Sequence, residues 1–180
     1  MKIMIASDIH GSAYYCRRLL DTFDAERADR LLLLGDILYH GPRNALPRDY
    51  APQEVAKMLN ERRSQILCVR GNCDAEVDQM VLDFPIMADY CMLCTGDFTI
   101  YATHGHIHNT DNLPPLAPGD MLLHGHTHVP AWDIIGGNMY LNPGSVSIPK
   151  DGSRHGYMLL TGSEILWKDL DGETYHRLEL

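Results

Sequence analysis

The chain has 180 residues, of which 45% are hydrophobic and 22% are charged, and its formal net charge is −9. These values exclude a disordered chain and are typical of one globular domain, which we place at residues 1–180. The acidic balance argues against general nucleic-acid binding, because phosphate backbones attract clustered lysine and arginine side chains.

The N-terminus and the cysteines predict the compartment. No apolar run approaches the roughly 20 residues that a membrane helix needs. The opening MKIMIASDIHG reaches Asp8 and His10 too early for the apolar segment of a signal peptide. We therefore expect a cytoplasmic protein without a membrane partner, in which the five cysteines are free thiols.

Apolar runs of strand length in the first two-thirds of the chain end in polar residues. The apolar runs are residues 2–7, 31–34, 65–70, 98–103 and 121–123. In the same order, the polar residues that follow these runs are Asp8 and His10, then Asp36, then Asn72, then His104, and last the histidines of LLHGHTHVP (122–130). Between the first three runs, the pattern predicts helices at 12–27, capped by Ser12, and at 52–63, with Pro52 in the first turn. Strand, helix and strand in this order predict parallel βαβ units, whose ligands bind at the carboxyl ends of the strands.

The last third predicts antiparallel hairpins. Short runs at 131–135, 138–142, 156–160, 164–170 and 174–180 are separated by turn residues at 136–137, 151–152, 161–163 and 171–172. The expected architecture is two packed sheets with helices outside.

Three histidines, His124, His126 and His128, occupy alternate positions, and alternate residues of an extended chain point to the same side. The row is either a chance feature of a polar edge or a set of nitrogen ligands for a cation. Together with the other strand-end residues it forms a set of carboxylate, amide and imidazole donors without a thiolate. Such a set suits Mn²⁺, Fe²⁺, Co²⁺, Ni²⁺ or Zn²⁺. Seven ligands are too many for one ion but suit two ions that share a bridging carboxylate.

The strand-end motifs resemble those of the calcineurin-like metallophosphoesterases. They are D-x-H (Asp8-Ile9-His10), G-D (Gly35-Asp36), G-N-x-D (71–74), His104 and G-H-x-H (125–128). The stretches HGPRNALP (40–47), GNCD (71–74) and NPGSVSIPK (142–150) are similar to the small single-domain phosphodiesterases of bacteria and archaea within that family.

The resemblance implies an α/β fold, a four-layer αββα sandwich of two mixed sheets flanked by helices. It also implies two divalent metal ions, with Mn²⁺ expected first and Ni²⁺, Co²⁺, Zn²⁺ and Fe²⁺ as alternatives. One ion would bind Asp8, His10 and His128, the other Asn72, His104 and His126, and Asp36 would bridge them. The implied activity is hydrolysis of small phosphodiesters by a metal-bound hydroxide, in a chain that forms a small homo-oligomer.

One position departs from the wider family. Many members have G-N-H-[DE], whereas this chain has Cys73, and a neutral thiol cannot replace an imidazolium as proton donor or charge. His106 could take over this role, solvent could serve, or the activity could favour diesters with good leaving groups, and we favour the last two. The candidate catalytic residues are Asn72, Cys73, Asp74 and His106, with Asp74 expected behind the ligands.

For the other candidate residues, an ordinary structural role is an alternative to a functional one. Arg43 and Asn44 follow the bridging carboxylate and are candidate substrate-binding residues, although an ordinary loop or a subunit contact explains them equally well. We expect His124 to be a buried or supporting histidine rather than a ligand. Cys91 and Cys94 have the spacing of a redox pair, but we expect them to be strand residues.

Rival functions remain open from the sequence. A phosphomonoesterase would use the same metal chemistry, and the retromer subunit with this fold is a protein-binding scaffold. This chain keeps every expected ligand, which favours an enzyme. A repair nuclease is disfavoured by the acidic charge and the short chain.

Overall fold

The structure is a computed structural model that describes residues 1–94 and 98–180. The described elements, in chain order, are β1 (Ile3–Ala6), α1 (Ala13–Glu26), β2 (Arg30–Leu33), α2 (Pro52–Asn60), β3 (Ile66–Cys68), α3 (Glu76–Gln79), β4 (Tyr90–Cys94), β5 (Thr99–Thr103), β6 (Met121–Leu123), β7 (Pro130–Ile135), β8 (Asn138–Pro143), β9 (Gly156–Leu160), β10 (Glu164–Asp169) and β11 (Thr174–Glu179). The strands form one sheet in the order β11-β10-β9-β1-β2-β3 and another in the order β4-β5-β6-β8-β7. Both sheets contain parallel and antiparallel pairs, so the expected pair of mixed sheets is confirmed.

The first sheet is covered on both faces, which explains its continuous apolar runs. In β1, Ile3 and Ile5 pack between the two sheets, whereas Met4 and Ala6 pack toward the helices. The leucine run 31–34 alternates in the same way between the two cores. Strands β1, β2 and β3 are parallel neighbours, so their carboxyl ends lie at one edge.

The two predicted helices form with small differences at their ends. Helix α1 begins after Ser12, whose Oγ accepts a hydrogen bond from the N–H of Tyr15 at 3.3 Å. Helix α2 begins at Pro52 as expected but ends at Asn60 rather than near residue 63. The chain tightens there, because the N–H of Arg62 bonds to the carbonyl of Leu59, and a 3₁₀ turn at Arg63–Gln65 follows.

Three of the four predicted hairpins are present, and one is wrong. The turns at 136–137, 161–163 and 171–172 join antiparallel neighbours. The turn at 151–152 instead lies in a segment that crosses from β8 in one sheet to β9 in the other. Asp151 and Gly152 do adopt left-handed backbone angles, with φ of 54° and 71°. A turn signal fixes local chain direction but not which strands pair.

The outer layers of the two sheets differ. Helices α1 and α2 cover the first sheet, whereas the outer face of the second sheet packs Tyr101, Leu122 and Tyr140 against Leu116. Leu116 belongs to residues 104–120, which are irregular. Prolines at 114, 115 and 118 disfavour a helix there. Cys91 and Cys94 lie in β4, as expected. None of the helices in the described ranges has the length and apolar character that a bilayer crossing requires.

The buried indole of Trp167 generates a prediction about stability. Trp167 is fully buried between the sheets, and its Nε1–H donates to the carbonyl of Asn142 at 2.8 Å. Trp167→Phe keeps an aromatic ring but removes this buried hydrogen bond. We expect the free energy of unfolding to fall by about 1–3 kcal/mol in urea denaturation followed by circular dichroism.

The matched control is Trp132→Phe. Trp132 is 39% exposed and stacks on His176 with ring centroids 3.8 Å apart. The Trp132→Phe substitution should change the free energy of unfolding by no more than about 0.5 kcal/mol. Equal effects of the two substitutions would contradict a specific role for the indole hydrogen bond.

Candidate metal centre

The seven predicted ligands lie at the carboxyl ends of parallel strands from both sheets. Strands β1, β2 and β3 of the first sheet, and β5 and β6 of the second, lead into the loops that carry them. The residues are Asp8, His10, Asp36, Asn72, His104, His126 and His128. The packing of the sheets brings their side chains to one edge of the molecule.

A first group of ligand atoms surrounds the carboxylate of Asp8. Its Oδ1 is 3.5 Å from His10 Nε2 and 3.3 Å from His128 Nε2, and the two Nε2 atoms are 3.2 Å apart. Ligands about 2.0–2.2 Å from one ion have separations of this size. These three residues can therefore share one metal ion.

A second group surrounds His104. Its Nε2 is 3.1 Å from Asn72 Oδ1 and 3.1 Å from His126 Nδ1. Asp36 belongs to both groups, because its Oδ2 is 3.7 Å from His10 Nε2 and its Oδ1 is 3.5 Å from His104 Nε2. The carboxylate of Asp36 is thus placed to bridge two ions.

Hydrogen bonds fix the protonation of three imidazoles. The Nδ1 atoms of His10, His104 and His128 lie 2.8, 2.7 and 2.6 Å from the carbonyls of Tyr39, Leu34 and Ile148. Carbonyl oxygens only accept hydrogen bonds, so each Nδ1 carries a proton, and each ring turns its Nε2 toward the cluster.

Ring nitrogens and a carboxylate oxygen therefore meet in a buried cluster, which is unfavourable without a shared proton or a cation. His10 Nε2 and His128 Nε2 face one another at 3.2 Å, and the buried Oδ1 of Asp8 has no hydrogen-bond partner among the described residues. Buried acceptors of this kind are costly unless a donor or a metal ion satisfies them. The residues therefore fit divalent cations.

The electrostatics keep Asp8 and His126 in their metal-binding forms, whereas the Asp8 carboxylate outweighs burial and raises the pKa of His10. Burial alone would raise the pKa of Asp8, but the imidazoles of His10 and His128 outweigh it and hold that pKa well below its usual range. Burial, helped by His104, lowers the pKa of His126 to about 4. At neutral pH the carboxylate is charged and the imidazole of His126 is neutral.

Five of the seven predicted ligands have left-handed backbone angles. Asp8, His10, Asp36, His126 and His128 have φ between 49° and 65°, a region that residues other than glycine rarely adopt. Only three further non-glycine residues of the described ranges share this feature. Such backbone strain concentrates at functional sites, where the surrounding structure maintains it.

The left-handed angles also correct the prediction for the histidine row. The segment after β6 is not extended, so alternation does not align His124 with His126 and His128. His124 is buried behind them against Tyr140, with ring centroids 4.7 Å apart, and it donates from Nδ1 to the carbonyl of Gly125 at 2.9 Å. This position agrees with the expected buried, supporting histidine.

Asp74 holds the loop that carries the bridging carboxylate. Its Oδ2 accepts the N–H groups of Asp36 and Gly71 at 2.8 and 2.7 Å, and its Oδ1 accepts that of Ile37 at 2.9 Å. Both oxygens are turned to the backbone, and the residue is buried. The geometry favours a positioning role for Asp74 over contact with a substrate.

Polar residues of the segment 142–147 support the opposite side of the centre. Ser145 and Ser147 each donate a hydroxyl hydrogen bond to the carbonyl of Asp8, at 2.9 and 3.0 Å. Asn142 donates to the carbonyl of Gly125 at 3.0 Å. The loops after β1 and β6 are thereby tied to the chain that connects the two sheets.

The thiol of Cys73 lies at the centre. Its sulfur and the ligand atoms of His10 and Asp36 all lie within 4.8 Å of one another, and its backbone N–H donates to Asp36 Oδ1 at 2.8 Å. Burial and the neighbouring Asp36 carboxylate raise the pKa of the thiol, so it is neutral. His106 lies beside His104, with ring centroids 5.4 Å apart, and its buried Nδ1 has no hydrogen-bond partner within residues 1–94 and 98–180.

A cleft of about 470 Å³ opens over the ligands. Among the residues that line it are Arg43 and Asn44, the predicted substrate-binding pair, and also Cys73. Sequence reasoning missed Lys150, which lines the same cleft and whose N–H donates to the carbonyl of His128 at 3.1 Å. Its position as the last residue of NPGSVSIPK was a signal that could have identified it.

The chain is similar to known proteins over most of its length. Residues 1–164 match the calcineurin-like phosphoesterase superfamily domain. The chain is 49% identical to phosphodiesterase YfcE of Escherichia coli K12 over 160 residues, which is 89% of this chain and 87% of that protein. A solved structure of the E. coli YfcE phosphoesterase superposes with a TM-score of 0.95 at 45% identity, covering 99% of this chain and 98% of the other.

A more distant structure shares the fold alone. Vacuolar protein sorting 29 of Cryptosporidium parvum has a TM-score of 0.63 at 20% identity, covering 99% of this chain and 97% of that one.

The contacts of Asp74 lead to a prediction about metal affinity. Asp74→Asn removes the charge and replaces one acceptor oxygen by an amide donor, so at least one of the three backbone N–H groups loses its partner. We expect the affinity of the metal-stripped protein for Mn²⁺, measured by calorimetry, to fall about 10- to 100-fold.

Asp78→Asn is the control, because Asp78 Oδ2 also accepts a backbone N–H, that of Ala75 at 2.8 Å, outside the centre. It should leave the Mn²⁺ affinity unchanged. Unaltered affinity in a folded Asp74→Asn protein would contradict the positioning role.

Proposed function

We propose, from the premise that the chain belongs to the calcineurin-like phosphoesterase superfamily, that it is a metal-dependent phosphodiesterase of small substrates. The observation that carries the proposal is the position of Asp36, whose two oxygens face two separate groups of ligand atoms. A pair of sites bridged by one carboxylate is suited to displacement at phosphorus.

In this proposal Asp8, His10 and His128 would hold one divalent ion, a second set of residues around His104 would hold the other, and Asp36 would contribute to both sites. The second set is Asn72, His104 and His126. When bound, the ions act as Lewis acids on the phosphoryl oxygens and provide an activated water as the nucleophile. We expect Mn²⁺ first, with Ni²⁺, Co²⁺, Zn²⁺ and Fe²⁺ as alternatives.

The side chains of the cleft orient the substrate. Arg43 and Lys150 bring two positive charges to the rim of the cleft, and Asn44 brings an amide. A guanidinium can bind two phosphate oxygens at once, whereas an ammonium acts as a point charge. These groups would hold the diester with its phosphorus toward the ligands.

The leaving group limits the range of substrates. Cys73 is a neutral thiol, which neither carries a positive charge nor donates a proton well. The leaving group can instead take its proton from solvent. A leaving group that is stable as an anion needs no proton at all. His106 stays a candidate, and the lowered pKa that burial and His104 give it makes its ring neutral at pH 7.

Two alternatives use the same fold. A phosphomonoesterase would need the same ligands, so only substrate comparison separates it from a diesterase. A protein-binding scaffold has no need for two convergent ligand groups with oriented imidazoles, which supports the enzyme. We also propose a cytoplasmic location, a small homo-oligomer, and one domain spanning 1–180 without nucleic-acid or membrane partners.

The first test of this function is metal replacement. Metal-stripped protein should not hydrolyse bis(4-nitrophenyl) phosphate, and Mn²⁺ should restore turnover more than Ni²⁺, Co²⁺, Zn²⁺ or Mg²⁺. Turnover of 4-nitrophenyl phosphate should stay well below that of the diester. Asp36→Asn and His128→Ala should each lower diester kcat by more than the roughly 100-fold that residues orienting a ligand contribute.

His176→Ala serves as the control for these variants, since His176 stacks on Trp132 away from the centre, and it should keep full activity. Binding of metal at two sites without turnover of either ester would favour the scaffold. A faster monoester reaction would favour the phosphomonoesterase.

A second test changes Cys73. Cys73→His introduces an imidazole that can donate a proton, and general acid catalysis contributes about 10²–10⁴-fold where it operates. We expect a larger gain for diphenyl phosphate, whose phenolate is a poor leaving group, than for bis(4-nitrophenyl) phosphate. Cys73→Ser, which has a hydroxyl of similar size, should show no such difference. Equal gains for both esters would argue against a role in protonating the leaving group.

A further inference from the structure

A second cavity, larger than the metal cleft, lies between α2 and α3. Its volume is about 940 Å³, and its lining includes Leu38, Tyr39, Tyr50, Ala56, Val77 and Val81. Val77 and Val81 are 67% and 52% exposed, respectively, although both are apolar. Clustered exposed apolar side chains on a soluble protein commonly mark a binding surface.

The apolar cavity adjoins the metal centre. Cys73 lines both this cavity and the cleft over the ligands. Tyr39 lines the cavity as well, and its carbonyl is 2.8 Å from His10 Nδ1. The two cavities therefore adjoin at Cys73.

The lining indicates the chemistry of the occupant. Charged residues on the lining balance, with Lys57 and Arg63 against Glu61 and Asp78, so neither an anion nor a cation is favoured. The volume falls within the roughly 300–1,000 Å³ of small-molecule sites, which are apolar with a few polar groups. Two tyrosine rings and two valines suit a bulky uncharged group with an aromatic face.

We propose that this cavity binds the ester group that stays on phosphorus during hydrolysis, and that this group is bulky, uncharged and aromatic. The inference rests on the proposed phosphodiesterase function and names its substrate class. A phosphomonoester has no second ester group to place in the cavity, so binding there favours diesters. A thiol at position 73 also occupies less space at the boundary than an imidazole would.

The test compares two diesters that share one leaving group. Phenyl 4-nitrophenyl phosphate and methyl 4-nitrophenyl phosphate both release 4-nitrophenolate and differ in the group that remains. The wild-type holoenzyme with Mn²⁺ should prefer the phenyl ester in kcat/KM, mainly through a lower KM. Val77→Asp/Val81→Asp, which adds charge to the cavity wall, should reduce that preference about ten-fold.

The methyl ester provides the internal reference. Its kcat/KM should stay within about two-fold of wild type in the double variant, because charges on the cavity wall do not touch the methyl group. Met80→Asp is the matched surface control, since Met80 lies between the two valines in sequence, is 84% exposed and does not line the cavity. Val77→Leu/Val81→Leu should retain the preference.

Other outcomes would overturn the inference. An unchanged preference in the double aspartate variant would do so, as would an equal loss in Met80→Asp. Sedimentation velocity tests whether a second copy of the chain occupies the cavity. If the wild-type protein is an oligomer and Val77→Asp/Val81→Asp dissociates it, the cavity is an interface between copies and the inference is overturned. Failure of wild type to hydrolyse either ester would overturn the proposed function together with the inference, whereas turnover of both esters without preference overturns the inference alone.

Discussion

The buried carboxylate of Asp74 is the interaction on which the centre depends. By accepting N–H groups from the loops after β2 and β3, it joins two strand ends that approach closely. A Cβ on Gly35 would lie 2.3 Å from the nitrogen of Gly71, and a Cβ on Gly71 would lie 2.1 Å from Asp36 Oδ1, so neither position accepts a side chain. The close approach of these two loops therefore fixes the direction of the Asp36 carboxylate. The positions of both groups of predicted ligands depend on that direction.

Much of this arrangement could be predicted from the sequence, because an apolar run followed by a polar residue marks the carboxyl end of a buried strand. The bounds of β9 agree with the predicted run, and the ligands meet at the expected edge. The directions of the histidine side chains could not be predicted, because the alternation rule holds only for extended backbone. His126 and His128 have left-handed backbone angles instead. The crossing at 144–155 and the cleft position of Lys150 depend on tertiary packing, which local patterns do not contain.

Cys73 connects the chemistry of the centre with its selectivity. As a neutral thiol near Asp36, it withholds the charge and proton that an imidazole would offer a departing alkoxide. As a residue shared by two cavities, it stands where the reacting phosphorus meets the apolar surface. In the proposed function, this single departure from the wider family pattern would restrict the leaving group and leave room for the group that remains, and both effects would favour activated or aromatic diesters.

The ligands come from loops of both sheets, so occupation of the centre is coupled to the packing of one sheet on the other. In the unfolded chain these side chains are separated by up to 120 positions, from Asp8 to His128, and cannot hold an ion together. Divalent cations held by these residues would therefore bind the native state selectively, and their free concentration would set part of the folding equilibrium. A chelator would act on such a protein as a mild denaturant as well as an inhibitor, and the metal supply of a cell would shift the fraction of molecules that is folded.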